Sequence, residues 1–192
     1  MRRLIFATNN KHKVGEVRAA LDGKVEVITL EEAGLKGEIP ETADTLQGNA
    51  LQKAEWVWER THTDCFADDT GLEVEALGGA PGVYSARYAG EHCSFDDNID
   101  KLLKALKDKE NRKADFRTVI CLIENGETKY FEGRVDGQIL KERHTCGEGF
   151  GYDPVFMPER FAVSFAEMPL EVKNSISHRG LAVKKLAEYL NS

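Results

Sequence analysis

Three groups of residues in this sequence are of types that handle phosphates. Lys11, His12 and Lys13 follow the apolar run "RRLIFAT"; Asp68 and Asp69 sit in "CFADDTGLEV"; and Lys173, His178 and Arg179 lie in "EVKNSISHRGLAVKKL". A helix start presents unpaired N–H groups and the positive end of the macrodipole, so carboxylates belong in the first turn and cations in the last. "SFDDNIDKLLKALKDK" obeys that order, with Asp96 and Asp97 early and Lys104, Lys107 and Lys109 late. The helices expected to open at Lys11 and near His178 reverse it. Each misplaced cation costs about 0.3–1 kcal/mol when no negative group is near. A bound phosphate removes that cost, because N–H groups and cations then converge on it. Solvated surface cations would account for either cluster alone. Two clusters, one directly after a first strand, favour phosphate binding.

An aspartate pair is poor strand material, so Asp68 and Asp69 at the end of an apolar strand point to a ligand site, as strand ends in α/β sheets do. An Asx turn is the plain alternative. Successive strand side chains face opposite sides, and parity alone does not choose between the two. A carboxylate facing a polyphosphate needs an intervening cation, and Mg²⁺ is the natural one: it takes one or two carboxylates, waters and phosphate oxygens. Glu41, in a loop before a helix, is a further carboxylate. "FGYDP" adds flat apolar surface at Phe150 and Tyr152, and in Asp153 an acceptor for N–H groups on a base edge. Core packing is the plain alternative for the aromatic pair.

Several chemistries are excluded. No GxxxxGK[ST] run occurs, since the one Gly-Lys pair, Gly23-Lys24, is followed by valine. "GEGFG" at 147–151 lacks the GxGxxG spacing and the following helix of a dinucleotide fingerprint. Cys65, Cys93, Cys121 and Cys146 form no CxxC pair, which argues against a zinc ribbon or redox motif and for reduced, mostly buried thiols. A net charge of −7 repels a phosphate backbone, so nucleic acid is not an expected partner. No apolar run approaches the roughly 18–20 residues that span a bilayer, and "MRRLIFATNN" has no signal-peptide core. No membrane partner is expected, and a cytoplasmic protein is.

At 192 residues, with 41% apolar and 31% charged, the chain is expected to form a single domain over 1–192. "RRLIFAT" reads as a buried strand. The helix after it places Val14, Val17 and Leu21 on one side and closes at Gly23. "VEVITL" is a strand, and a helix near 44–60 carries Leu46, Ala50, Ala54 and Val57. "CFADDT" and "LEVEAL" are expected as short strands. The helix capped by Ser94 has Phe95, Ile99, Leu102, Leu103 and Leu106 on its apolar face. "DFRTVICLIENGETKYFEGRVDGQI" predicts a hairpin turning at Asn125-Gly126, a pair suited to a type I′ turn. A loop over "KERHTCGEGFGYDPVFMPE" and a last helix with Val183, Leu186, Ala187 and Leu190 complete an α/β fold around a mixed sheet.

In order, "ATNNKHK", "ETADTLQGNA", "FADDTGLEVEALGGAPGVYSARYAG", "GEGFGYDPVF" and "FAEMPLEVKNSISHRG" closely resemble the inosine triphosphate pyrophosphatase family, the noncanonical purine nucleoside triphosphate pyrophosphatases. The resemblance covers nearly the whole chain. It implies hydrolysis of ITP, dITP and XTP between the α and β phosphates to a monophosphate and pyrophosphate, cleansing the nucleotide pool. It also implies Mg²⁺, a homodimer, and an elongated two-lobed α/β molecule with helices flanking a mixed central sheet and a nucleotide groove between the lobes. Carried over position by position, Thr8, Asn9, Asn10, Lys11, His12 and Lys13 resemble the phosphate-binding opening. Asp69 is similar to the metal ligand and general base, and Thr70 to a substrate contact. Phe150, Gly151, Tyr152 and Asp153 resemble the base pocket, and Lys173, His178 and Arg179 the remaining nucleotide contacts.

One departure stands out. Many relatives have two adjacent acidic residues where this chain has Pro40-Glu41, so Glu41 alone is assigned as the second metal ligand. Two other classes fit parts of the pattern: a pyrophosphatase of pyrimidine or modified nucleotides, and a nucleotide-sensing module without catalysis. The latter should lack the Asp69 carboxylate or the basic helix starts, and both are present.

Overall fold

The computed structural model describes residues 1–146 and 150–192. Its chain order is β1 (Arg2–Phe6), α1 (Lys11–Leu21), β2 (Val25–Ile28), α2 (Leu46–Thr61), β3 (Cys65–Val74), β4 (Pro81–Gly82), α3 (Phe95–Ala105), β5 (Lys113–Glu124), β6 (Glu127–Ile139), β7 (Phe156–Pro158), α4 (Leu170–Ile176) and α5 (His178–Leu190). Seven strands form one mixed sheet in the order β2-β1-β3-β5-β6-β7, with β4 paired to β3. β1 runs parallel to β2 and β3, whereas the β3–β4 and β6–β7 pairs are antiparallel. Helices flank this sheet, so the expected mixed α/β class is the observed one.

The chain divides into two compact units. The first is Met1–Asp69, Thr118–Gly133 and Arg179–Ser192; the second is Thr70–Arg117 and Arg134–His178.

In the first unit the period of two along each strand sorts side chains onto two faces. Leu4 and Phe6 of β1, Phe66 of β3, and Ile120 and Leu122 of β5 pack with Val14, Val17 and Leu21 of α1 and with Ala182, Val183, Leu186 and Ala187 of α5. Ile5, Ala7, Cys65, Ala67, Cys121 and Ile123, one residue out of step, pack with Ala50, Ala54 and Val57 of α2. The sheet is thus apolar on both sides, as a strand covered by helices on both faces must be. Phe6 and Phe66 stack with ring centroids 4.5 Å apart. Asn125 and Gly126 both have positive φ, 52° and 82°, so the β5–β6 turn has the predicted handedness.

The second unit packs Leu72 and Val74 of β3, Ile99 and Leu102 of α3, Phe116 of β5 and Ile139 of β6 against Tyr152, Val155, Phe156 and Phe165. Ser94 and Asp97 form a reciprocal capping box at the start of α3.

Four expectations need correction. The two short strands around Asp68-Asp69 are one ten-residue strand, because Asp68 and Asp69 find partners and need not end it. Phe95 leaves the apolar face of α3 and is 48% exposed, since it sits in the first turn, outside the core cluster. β7 lies in the stretch expected as loop, and α4 is a separate helix over residues given no element or taken as the opening of the last one; both are too short to show a period. The thiols are free, but only Cys65 and Cys121 are buried, with Cys146 exposed. Of "GEGFG", residues 147–149 lie outside the described residues.

Candidate active site

The first unit gathers charge on both sides of β3. Asp68 shares the parity of Phe66 and therefore faces α1 and α5; Asp69 shares that of Ala67 and faces α2. Lys13 Nζ donates to Asp68 Oδ1 at 3.1 Å, and Arg179 Nε lies 3.6 Å from Asp68 Oδ2. Burial opposes ionisation of Asp68, yet Lys13, Arg179 and Lys53 together pull its carboxyl down to about 2. Burial also lowers Lys13, an effect that Asp68 opposes and the neighbouring cations Lys53 and Arg179 reinforce.

Part of the anion expected at the two reversed helix starts is therefore protein. Glu16, one turn into α1, takes His12 Nε2 at 2.9 Å on one oxygen and pairs with Arg179 on the other. Lys13, Arg179 and His12 are held by carboxylates while their helix starts carry no acid of their own. Asn10 caps α1 by accepting from the His12 and Lys13 backbone N–H groups, and its own N–H donates to Thr8 Oγ1 at 3.1 Å. Asn9 and Lys11 are exposed at this start.

On the α2 side, Lys53 Nζ donates to Glu41 Oε1 at 2.6 Å and lies 3.9 Å from Asp69 Oδ1. Asn49 Nδ2 donates to Asp69 Oδ2 at 3.1 Å. Burial raises the Asp69 carboxyl, Lys53 opposes this, and the Glu41 charge adds to the rise. Lys53 moves up despite its burial, because Asp68, Glu41 and Asp69 all favour its charged form. Neither Lys53 nor Asn49 was singled out from sequence. Their signal is position: both fall on the stripe of α2 defined by Leu46, Ala50, Ala54 and Val57, where a lysine and an asparagine are out of place unless paired.

Two carboxylates facing one another across a single ammonium suit a hard divalent cation. Among the described residues no group of three or more His, Cys, Asp or Glu stands ready to cage a metal. This donor set therefore fits an ion that keeps waters and completes its shell with phosphate oxygens, as Mg²⁺ does.

The second unit holds the other predicted residues. Lys173, in α4, donates from Nζ to Asp153 Oδ2 at 2.6 Å, and both side chains are about nine-tenths buried. Tyr152 is a core residue whose hydroxyl donates to the Ser85 carbonyl at 2.7 Å, and burial pushes its phenol up. Phe150 remains partly exposed and meets the Phe95 ring edge to face at 5.1 Å. Gly151 has φ 57°, a left-handed value that suits glycine and turns the chain between Phe150 and Tyr152. His178 stacks on Phe116 with centroids 4.7 Å apart and is buried. Thr70 continues β3 at the start of this unit and is partly buried.

Fold and site define an α/β protein whose first unit sets buried cations and carboxylates on both faces of β3. The chain belongs to the Ham1 family, whose model matches residues 4–189. A dITP/XTP pyrophosphatase of Porphyromonas gingivalis is 59% identical over 99% of this chain and 98% of its own length. One of Flavobacterium johnsoniae is 52% identical over 99% and 98%. Among solved structures, a HAM1 protein from Coxiella burnetii matches with a TM-score of 0.93 and 36% identity, covering 100% of this chain and 99% of that one. The Staphylococcus aureus Ham1 protein gives 0.91 and 37%, covering 99% and 98%.

Proposed function

We propose that this protein hydrolyses noncanonical purine nucleoside triphosphates (ITP, dITP and XTP) to the monophosphate and pyrophosphate, with Mg²⁺. The observation that carries this reading is the gathering of Glu41 and Asp69 about Lys53, with Asp69 next in β3 to Asp68, which gathers Lys13 and Arg179. The similarity to two dITP/XTP pyrophosphatases over nearly the full chain supports the substrate class.

Asp69 and Glu41 are the residues that would hold Mg²⁺, which when bound neutralises phosphate charge and polarises the reacting phosphorus. Lys13 and Arg179 take the triphosphate oxygens, exchanging part of their pairing with Asp68 and Glu16 for the substrate. Asp69 accepts the proton of a water that attacks the α-phosphorus, and the bond to the β-phosphate breaks to release pyrophosphate. Lys53 holds the two carboxylates against their mutual repulsion.

For the base, Lys173 is the donor assigned to the six-position oxygen, oriented by its bond to Asp153. Adenine offers an N–H donor at that position, so ATP would set donor against donor and leave both unpaired. Phe150 supplies an open aromatic face, while Tyr152 and His178 support the pocket from the core. The same reading carries a homodimer and a cytoplasmic location, with nucleic acid and membranes outside its partners. Among the described residues no helix is long and apolar enough to cross a membrane.

The test is pyrophosphate release from ITP, dITP and XTP beside ATP and GTP, with and without Mg²⁺. Metal-dependent release favouring the first three is expected. Equal hydrolysis of ATP and ITP refutes the assignment of specificity.

A further inference from the structure

We propose that Asn49 is a positioning residue that sets the separation of Glu41 and Asp69, and with it their affinity for a divalent cation. The inference rests on the pyrophosphatase reading given above. Asn49 is 1% exposed and lies on the buried stripe of α2. Its two polar atoms are both used, and they serve different segments: Oδ1 accepts from the Ala43 backbone N–H at 2.9 Å, and Nδ2 donates to Asp69 Oδ2 at 3.1 Å. One side chain thus joins the loop that carries Glu41 to the strand that carries Asp69.

The amide cannot be reversed without setting its NH₂ against the Ala43 N–H and its oxygen against a carboxylate, so the two neighbours fix its orientation. That orientation commits Asp69 Oδ2 to Asn49 and leaves Oδ1 with Lys53 at 3.9 Å, beyond hydrogen-bond reach and open to a cation or a water. No other natural side chain of this size offers one acceptor and one donor at this spacing; leucine matches the volume and leaves both partners unbonded.

The rest of the loop is strapped to the same helix. One turn further on, Gln52 accepts from the Thr42 N–H with Oε1 and donates to Thr42 Oγ1 with Nε2, both at 2.8 Å. Thr45 caps α2 through the Gly48 N–H at 2.9 Å. A Cβ on Gly48 would lie 2.8 Å from the Ala43 Cβ, so loop and helix touch there and only glycine fits. Glu41 is therefore delivered by a loop that is hydrogen-bonded to α2 at three successive residues, Glu41 to Lys53, Thr42 to Gln52 and Ala43 to Asn49, and among the described residues Asn49 is the one of these helix side chains that also hydrogen-bonds Asp69. Residues that orient a metal ligand in this way typically change metal affinity 10–100-fold when removed.

The experiment compares wild type, Asn49→Ala and Gln52→Ala by two readouts. The first is backbone hydrogen exchange at Ala43 and Thr42 in metal-free, nucleotide-free protein. The second is the Mg²⁺ concentration that half-saturates ITP hydrolysis, with the KM for ITP measured at saturating Mg²⁺. Asn49→Ala is expected to speed Ala43 exchange at least about tenfold and to raise the Mg²⁺ requirement about tenfold or more, with the KM for ITP within about twofold. Gln52→Ala, which removes no buried group, is expected to speed Thr42 exchange and to raise the requirement about threefold; it carries the test should Asn49→Ala not fold. An unchanged Mg²⁺ requirement in the folded variants, with only slower turnover or a lower Tm, overturns the role of Asn49. A wild type that hydrolyses ITP without metal, or not at all, instead overturns the pyrophosphatase reading, while the exchange result still reports the strap.

Discussion

The carboxylates of Asp68 and Asp69, adjacent in the chain, answer to different helices: Asp68 Oδ1 accepts from Lys13 of α1 at 3.1 Å and Asp69 Oδ2 from Asn49 of α2 at 3.1 Å. The strand pleat makes this division, because consecutive side chains leave β3 on opposite faces. One acid neutralises Lys13 and Arg179, and its neighbour shares Lys53 with Glu41. Two aspartates of like type can thus hold different roles through environment alone: cations draw Asp68 down to about 2, whereas burial and Glu41 move Asp69 up.

Asp69→Asn removes the base while keeping the size and the partner of the side chain. Turnover is expected to fall by about 10²–10⁴-fold, with nucleotide binding retained. Steady-state kinetics beside calorimetric nucleotide binding checks this; a near-normal rate takes Asp69 out of the mechanism.

Lys13→Met leaves a buried carboxylate short of one of its cations. Removing a charged hydrogen-bond partner should cost about 1–3 kcal/mol of unfolding free energy. Urea unfolding reads the loss, and adding Asp68→Asn to the same chain should restore most of it. Equal midpoints for wild type and Lys13→Met would show that the pair carries no stability.

Lys173→Met keeps most of the stem and deletes the donor held by Asp153. The ratio of kcat/KM for ITP over ATP is expected to fall about 10²-fold. Competition between the two nucleotides measures it directly, and an unaltered ratio moves the specificity elsewhere.

Away from the site, Asp115 gives a pH prediction. Burial, then a hydrogen bond and charge from Glu73, push its carboxyl up to about 6, with Arg134 opposing and Asp136 adding to the rise. A carboxyl raised in the fold stabilises while protonated: the contribution is whole below the unfolded value near 4 and is lost as pH rises through about 6. Asp115→Asn, which stays neutral, should therefore gain on wild type between pH 5 and 8, by about 1 kcal/mol or less after solvent screening. Thermal melts across that range check the sign; a gap that widens as pH falls contradicts it.

Much of this arrangement was legible in the residues. "RRLIFAT" gave β1 as a buried strand, the periods of α1, α2 and α5 gave the apolar side of each helix that packs in the first unit, and Asn125-Gly126 gave the hairpin turn. The reversed charges at Lys11–Lys13 and His178-Arg179 required a negative group near each helix start, but did not reveal that Glu16 and Asp68 meet them, since the Arg179–Glu16 and Lys13–Asp68 pairs join residues 163 and 55 positions apart. Parity said that Asp68 and Asp69 must diverge without saying which faces what; that needed the register against α1, α2 and α5. Lys53 and Asn49 escaped notice because a period shows what an apolar stripe contains more readily than the polar groups buried within it. α4 and β7, at seven and three residues, are too short for any period to register.

The most direct test of the central claim is hydrolysis of ITP in ¹⁸O-water with Mg²⁺ and all phosphate products counted. The account predicts one pyrophosphate per ITP, no free phosphate, and the label in the phosphate of IMP. Label in the released pyrophosphate, or free phosphate as the first product, would contradict attack at the α-phosphorus and the site built around Asp69.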